Sequence, residues 1–243
     1  MPERSLARWT VAAGPPLLAA TVGSVLLGGE LTVAPYPSGW RVPVLALELP
    51  ANAEELRVVL DAGPGNRDHW RRLTHGDFVY PVPYAAFLVL VATRLMGVAP
   101  PGSRRIGAAA IGLVVAAAIA DYVENVAILR ALATPSEAIG AAEAAAIRVP
   151  AQFKWSLLAL GLGASGLLAW RAGGAWRWLA PPAALMTLGL VGIWRPLVWE
   201  WAYGGLALYC AGAWVGALVA LGRSPSRSAV SSSDRARGSS QLR

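Results

Sequence analysis

The chain has 243 residues, of which 56% are hydrophobic and only 14% charged. A soluble domain carries roughly a quarter charged residues. The composition therefore excludes an ordinary water-soluble enzyme and selects a membrane protein, with room for about six spans of roughly 20 residues. The net charge of +7 does not point to nucleic acid, because many of the arginines flank apolar runs, where they set orientation.

A short basic segment with Arg4 and Arg8 leads into the first apolar run, residues 9–29. The basic start and apolar centre suggest a signal peptide. The length of the run, and Pro35 directly after the small residue Ala34, favour a retained helix instead. Residues 30–76 form the longest connection, opened by the turn formers Pro35, Pro37, Ser38 and Gly39. Residues 42–49 are apolar, suited to an extended segment or to the membrane surface. Asn52 reads as a helix N-cap, with Glu55 three residues on as in a capping box. That helix carries Leu56, Val58, Val59 and Leu60, and Gly63-Pro64-Gly65 ends it. A second amphipathic piece follows at 67–73. Residues 30–76 are thus expected to form a small extracytoplasmic cap, with Glu48, Glu54 and Glu55 in solvent. The apolar neighbours of Glu48 leave open that it faces the protein.

The second span is expected at 77–98, with Pro81 and Pro83 loosening its first turns and Arg94 snorkelling to the surface. A basic turn, Pro100 to Arg105, leads to the third span at 106–132. A short alanine-rich helix to about Ile147 follows, and Pro150 opens the fourth span, which runs to Trp170. Gly161, Ser165 and their small neighbours suit close helix approach. The fifth span is placed at 178–194 and the sixth at 197–221, with Glu200 in its first turn. Residues 223–243 are rich in serine and arginine and are expected to be a disordered cytoplasmic tail after a transmembrane domain of 1–222. The fold class is accordingly all-α, a polytopic bundle of about six transmembrane helices with an extracytoplasmic cap between the first two.

Six spans put both termini on one side. That side then holds 12 of the 21 basic residues, and most of the others lie in the long first loop. The positive-inside rule places both termini in the cytoplasm of a bacterial inner-membrane protein. Asp77, Asp121, Glu124, Asn125, Lys154 and Glu200 then all fall in the outer half of the bilayer or at its interface.

Ionisable groups in a membrane helix are costly, so each needs a partner or a function. Asp121, Glu124 and Asn125 share one face of the third span. Asp77, Tyr80 and Tyr84 are spaced in the same way on the second. Asp121 and Glu124 are the candidate acid and base, since burial raises a carboxyl toward neutral pH. Asn125, Asp77, Tyr80, Tyr84, Lys154 and Glu200 are the candidate substrate-binding groups. The competing reading makes the acids a structural clamp on Lys154, the tyrosines interfacial belt residues, and Glu200 part of an anchor with Trp194, Trp199 and Trp201.

Gly163-Ala164-Ser165-Gly166 looks like a rhomboid-protease serine motif, and Glu54-Glu55 like the paired glutamate of CAAX proteases. His69 and His75, the two histidines, lie in a polar loop. Neither protease, nor a histidine-based metal site, is therefore expected. Cys210 is the single cysteine, so no disulfide forms within the chain. No cofactor is expected.

The order of these features, an apolar Leu-Glu-Leu, Ala-Glu-Glu-Leu, Asp77-x-x-Tyr80, Asp121-x-x-Glu124-Asn125 and Lys154, resembles a group of bacterial multi-pass membrane proteins without an assigned activity. The resemblance covers roughly residues 10–160 and groups these polar positions as a set. The expected function is an intramembrane enzyme acting on a lipid or isoprenoid-like substrate in an outward-facing pocket. The alternatives are a small-solute or proton-coupled transporter, which should show polar groups through the full membrane depth, and a lipid-binding or scaffolding protein with a structural polar cluster. The expected partners are membrane lipid and a lipid or small hydrophobic substrate, without nucleic acid.

Overall fold

The computed structural model describes residues 3–28, 39–190 and 196–222, and among these it is helical with no strand. The helices are α1 (Glu3–Gly28), α2 (Pro43–Glu48), α3 (Ala53–Leu60), α4 (Asn66–Asp77), α5 (Pro81–Val98), α6 (Arg104–Ala133), α7 (Ala141–Ala172), α8 (Ala180–Leu188) and α9 (Pro196–Gly222). Four stretches are long and apolar enough to cross a membrane: Pro81–Val98, Pro101–Ala133, Ala141–Ala172 and Glu200–Gly222. They account for the second, third, fourth and sixth expected spans. The first falls on α1, of 26 residues. The described part of the fifth holds a 3-10 turn (Gly174–Leu179) and the nine-residue α8. The tail at 223–243 and Trp194 lie outside the described residues, as does the side chain of Trp199.

The long helices are apolar on both faces. Ala110, Val114 and Ala117 of α6 are buried, while Val115, Ile119, Val123 and Val126 of the same helix are exposed. An apolar outer surface of this kind is what a hydrocarbon surround accommodates. Small residues bring the helices together, as in other membrane bundles. A Cβ on Gly161 would stand 3.2 Å from Val114 Cγ2, and one on Gly166 2.6 Å from Ala183 Cβ. The Gly163-Ala164-Ser165-Gly166 stretch thus packs α7 against α8. Gly14 of α1 lies under the Trp214 ring of α9, where a Cβ would clash, and the Trp214 indole donates to Val11 O at 3.2 Å.

Pro150 was expected to open a span. Instead α7 runs through it as one helix of 32 residues. Proline removes a single i to i−4 bond, and the tight small-residue packing of α7 outweighs that loss. At 1.5 Å per residue, α6 and α7 are roughly 45 and 48 Å long, against roughly 27 Å for α5. The two long helices therefore outreach α5.

The segment before α5 forms the expected cap of α3, but residues 43–48 are a largely buried helix rather than an extended or surface stretch, and Glu55, expected in solvent, is fully buried. Asn52 Oδ1 accepts from Glu55 N at 2.9 Å, and Glu55 Oε2 accepts from Ala51 N at 2.6 Å. This is a capping box shifted by one residue at its return bond. After α3 the chain reverses at Gly65, whose φ of 76° suits glycine. Arg67 of α4 then staples the segment to the α6–α7 connection. It donates to Thr134 O at 2.6 Å, to Ser136 Oγ at 2.9 Å and to Asp61 Oδ1 at 2.6 Å. Arg148 of α7 donates to Ala51 O at 2.7 Å. Helices α2 to α4 are in this way held against the ends of α6 and α7, and the polar cluster lies where they meet.

Candidate functional site: a lysine among carboxyl groups

Lys154 is the centre of the cluster. Its Nζ lies 2.7 Å from Glu124 Oε2, 2.9 Å from Glu48 Oε1 and 3.2 Å from Asp121 Oδ1. The residue exposures are 4% for Lys154, 0% for Glu124, 7% for Glu48 and 3% for Asp121. Three carboxyl groups from two helices, α2 and α6, therefore share one ammonium from α7. The i, i+3 spacing on α6 turns Asp121 and Glu124 to the same side, toward the one lysine that α7 carries inward.

A fourth carboxyl completes the group. Asn125 Nδ2 donates to Asp77 Oδ2 at 2.8 Å, and Asp77 lies within electrostatic reach of Asp121 and Lys154. Tyr84 projects from the first turn of α5, with its buried hydroxyl beside Asp121. Tyr80 stacks on it at a centroid distance of 5.5 Å. Glu124 Oε1 has no hydrogen-bond donor. Seven of the eight residues proposed from the sequence are thus brought together, directly or through a neighbour.

The eighth is elsewhere. Glu200 Oε1 accepts from the backbone N–H of Arg41 at 2.6 Å and of Val42 at 3.3 Å. It ties the start of α9 to the chain entering α2 and forms no bond to Lys154. A carboxylate among the free N–H groups ahead of a helix is favourably placed, so Glu200 holds α2 in position.

Glu48 corrects the expectation of a solvated acid. It ends α2, and its Oε2 accepts from the Trp155 indole at 2.7 Å while Oε1 meets Lys154. Trp155 in turn meets the edge of Tyr203 from α9 at 5.8 Å. Sequence reasoning assigned no role to Trp155 or Tyr203. The available signal for Glu48 was a lone acid between Leu47 and Leu49, a costly placement unless a partner exists.

Arg94 corrects a second expectation. It does not snorkel: it is 2% exposed, with its guanidinium 4.5 Å from the centroid of the Trp176 ring and 3.8 Å from Glu3 Oε1. Trp176 and the first turn of α1 cover the route a long side chain would take to the surface.

With four carboxyl groups to one ammonium, full ionisation would leave a large negative excess in a dry site. Such an excess is neutralised by protons or by a bound cation. Among the described residues no group of three His, Cys, Asp or Glu side chains is arranged to hold a metal ion. No protein-family model, no curated protein and no solved structure matches the chain.

Proposed function

We propose that the protein is a multi-pass membrane enzyme that performs acid–base chemistry on a lipid or isoprenoid-like substrate at the Lys154 cluster. The observation that carries this reading is the convergence of Glu48, Asp121 and Glu124 on a single lysine, with Asp77 held beside them by Asn125. A structural clamp needs one acid for one base. The surplus carboxyl groups are proton donors and acceptors held in low dielectric, where general acid–base groups are tuned. Asp121 and Glu124 act as acid and base, Tyr84 and Asn125 orient the substrate, and Lys154 sets the charge.

Depth supports the same reading. Asp121 lies roughly 26 Å along α6 from Arg104, and Lys154 roughly 27 Å from the far end of α7. Counted from helix ends at the headgroup level, both stand in the half of a hydrocarbon layer of about 30 Å that lies beside α2 to α4. In this arrangement six spans cross the membrane, both termini are cytoplasmic, and α2 to α4 form the extracytoplasmic cap.

One observation favours a structural role instead. Glu48, Lys154 and Trp155 join α2 to α7 by direct bonds, as a lock would. The test is to identify a co-purifying lipid by native mass spectrometry and follow its conversion. Asp121→Asn and Glu124→Gln are expected to melt near wild type while turnover is abolished. Their reactivity gives a readout that needs no substrate. Dicyclohexylcarbodiimide, which partitions into membranes and attacks protonated carboxyls, should label the wild type and label Glu124→Gln far less. Unfolding of both variants, with no labelling of the wild type, would establish the lock.

A further inference from the structure

On the face of α6 turned away from the cluster runs an open-sided groove of about 470 Å³, lined by Tyr122, Val123, Val126, Ala127, Arg130 and Ala146. Its walls are apolar along α6 and α7, and Arg130 stands at one end. The Arg130 side chain is exposed, and among the described residues no carboxylate stands within ion-pair distance of its guanidinium, unlike Arg67 and Arg71. Val123 and Val126 are also exposed, at 54% and 41%. The groove thus pairs an apolar trough with one uncommitted cation.

Its depth matches that pairing. Arg104 opens α6 and Arg130 lies roughly 39 Å further along it. A bilayer measures about 40–45 Å including its two headgroup regions, so the two arginines lie at opposite headgroup levels. Val123 and Val126, roughly 6–10 Å below Arg130, lie at the upper end of the acyl chains. We infer that this groove is a binding site for an anionic phospholipid of the leaflet beside α2 to α4, with its phosphate on Arg130 and an acyl chain along Val123, Val126 and Ala127. The inference rests on the membrane reading above and is independent of any chemistry at Lys154. Guanidinium is the side chain best matched to a phosphate, and the apolar trough gives an acyl chain of the same lipid a surface to pack on.

The experiment uses the full chain in detergent micelles doped with phosphatidylglycerol or with phosphatidylcholine, read by native mass spectrometry. The wild type should retain phosphatidylglycerol in preference to phosphatidylcholine. Arg130→Gln should lower that retention about tenfold, the loss expected for one charge-assisted contact. Val126→Trp, which fills the trough and leaves the arginine, should lower retention of both lipids. Leu218→Trp, on the exposed face of α9, is the control and should retain lipid as the wild type does. Unchanged melting temperatures keep the variants comparable. Retention in Arg130→Gln equal to that of the wild type would overturn the site. So would a disulfide-linked dimer of Val126→Cys in a Cys210→Ser background, which would seat a second copy of the chain in the groove.

Discussion

Lys154 and Arg94 are both cations buried in one helix bundle. Around Lys154 three carboxylates stand within 3.2 Å. Around Arg94 there is one acid at 3.8 Å, itself 58% exposed, and the face of a tryptophan. Among the described residues none of the three guanidinium nitrogens finds a hydrogen-bond partner. Burial alone therefore does not define a site. Lys154 belongs to a network whose members depend on one another, while Arg94 is covered by its neighbours and bound closely to none of them.

The largest test of that contrast is Lys154→Met, which keeps the volume and removes the ammonium. Glu48, Asp121 and Glu124 are left facing each other without a counter-charge. Removing one partner of a buried ion pair costs about 3–5 kcal/mol. A fall in melting temperature of that order is expected in detergent. The fall should be smaller near pH 5 than near pH 8, because protons then replace the missing ammonium. A variant that melts with the wild type at both pH values would mean that the cluster is held by packing, and the contrast with Arg94 would disappear.

How much of this was legible in the sequence follows from how far each contact reaches. The apolar runs and the Asn52 capping box are local, and both were readable from periodicity and spacing. The pairing of Lys154 with Asp121 or Glu124 joins α6 and α7, which are neighbours in the chain, and one lysine among apolar residues had few other partners to choose from. Glu48 reaches Lys154 across more than a hundred residues, and only the fold of α2 to α4 puts it there. Glu200 carried the same outward signal, an acid at a span boundary, yet its partners are backbone N–H groups of a loop. Backbone donors leave no trace in residue identity. Arg94 looked like any arginine near a helix end, because the covering Trp176 belongs to a connection two helices away.

The middle test is Arg94→Met. Methionine fills similar space, and Glu3 remains solvated once its partner is gone. What is lost is one contact with an aromatic face and a long ion pair, and what is gained is relief from burying an unbonded guanidinium. Replacing a buried ion by a hydrophobic side chain of like volume is often neutral. The expected change in stability is under about 1 kcal/mol, in either direction. A loss as large as that of Lys154→Met would show that Arg94 has a partner as close as those of Lys154.

The smallest effect belongs to a third setting, the half-exposed pair of Asp61 and Arg67, which separates surface charge from both buried cations. The Arg67 guanidinium bonded to Asp61 holds its carboxyl below the usual carboxylate range, against the opposing pull of partial burial, and the Ser136 hydroxyl adds to the lowering. Its folded pKa is thus below its unfolded one. The stabilisation is present in full above about pH 4, where the unfolded carboxylate is also ionised, and is lost as the pH falls through the lowered folded value. Because the pair meets water, its contribution is about 0.2–1 kcal/mol and is screened by salt. Asp61→Asn should therefore melt slightly below the wild type near neutral pH, and the gap should close toward about pH 3 and in high salt. A gap that persisted at low pH would assign the difference to the neutral bond from Ser136 rather than to charge, leaving the staple to the bonds that Arg67 makes with Thr134 and Ser136.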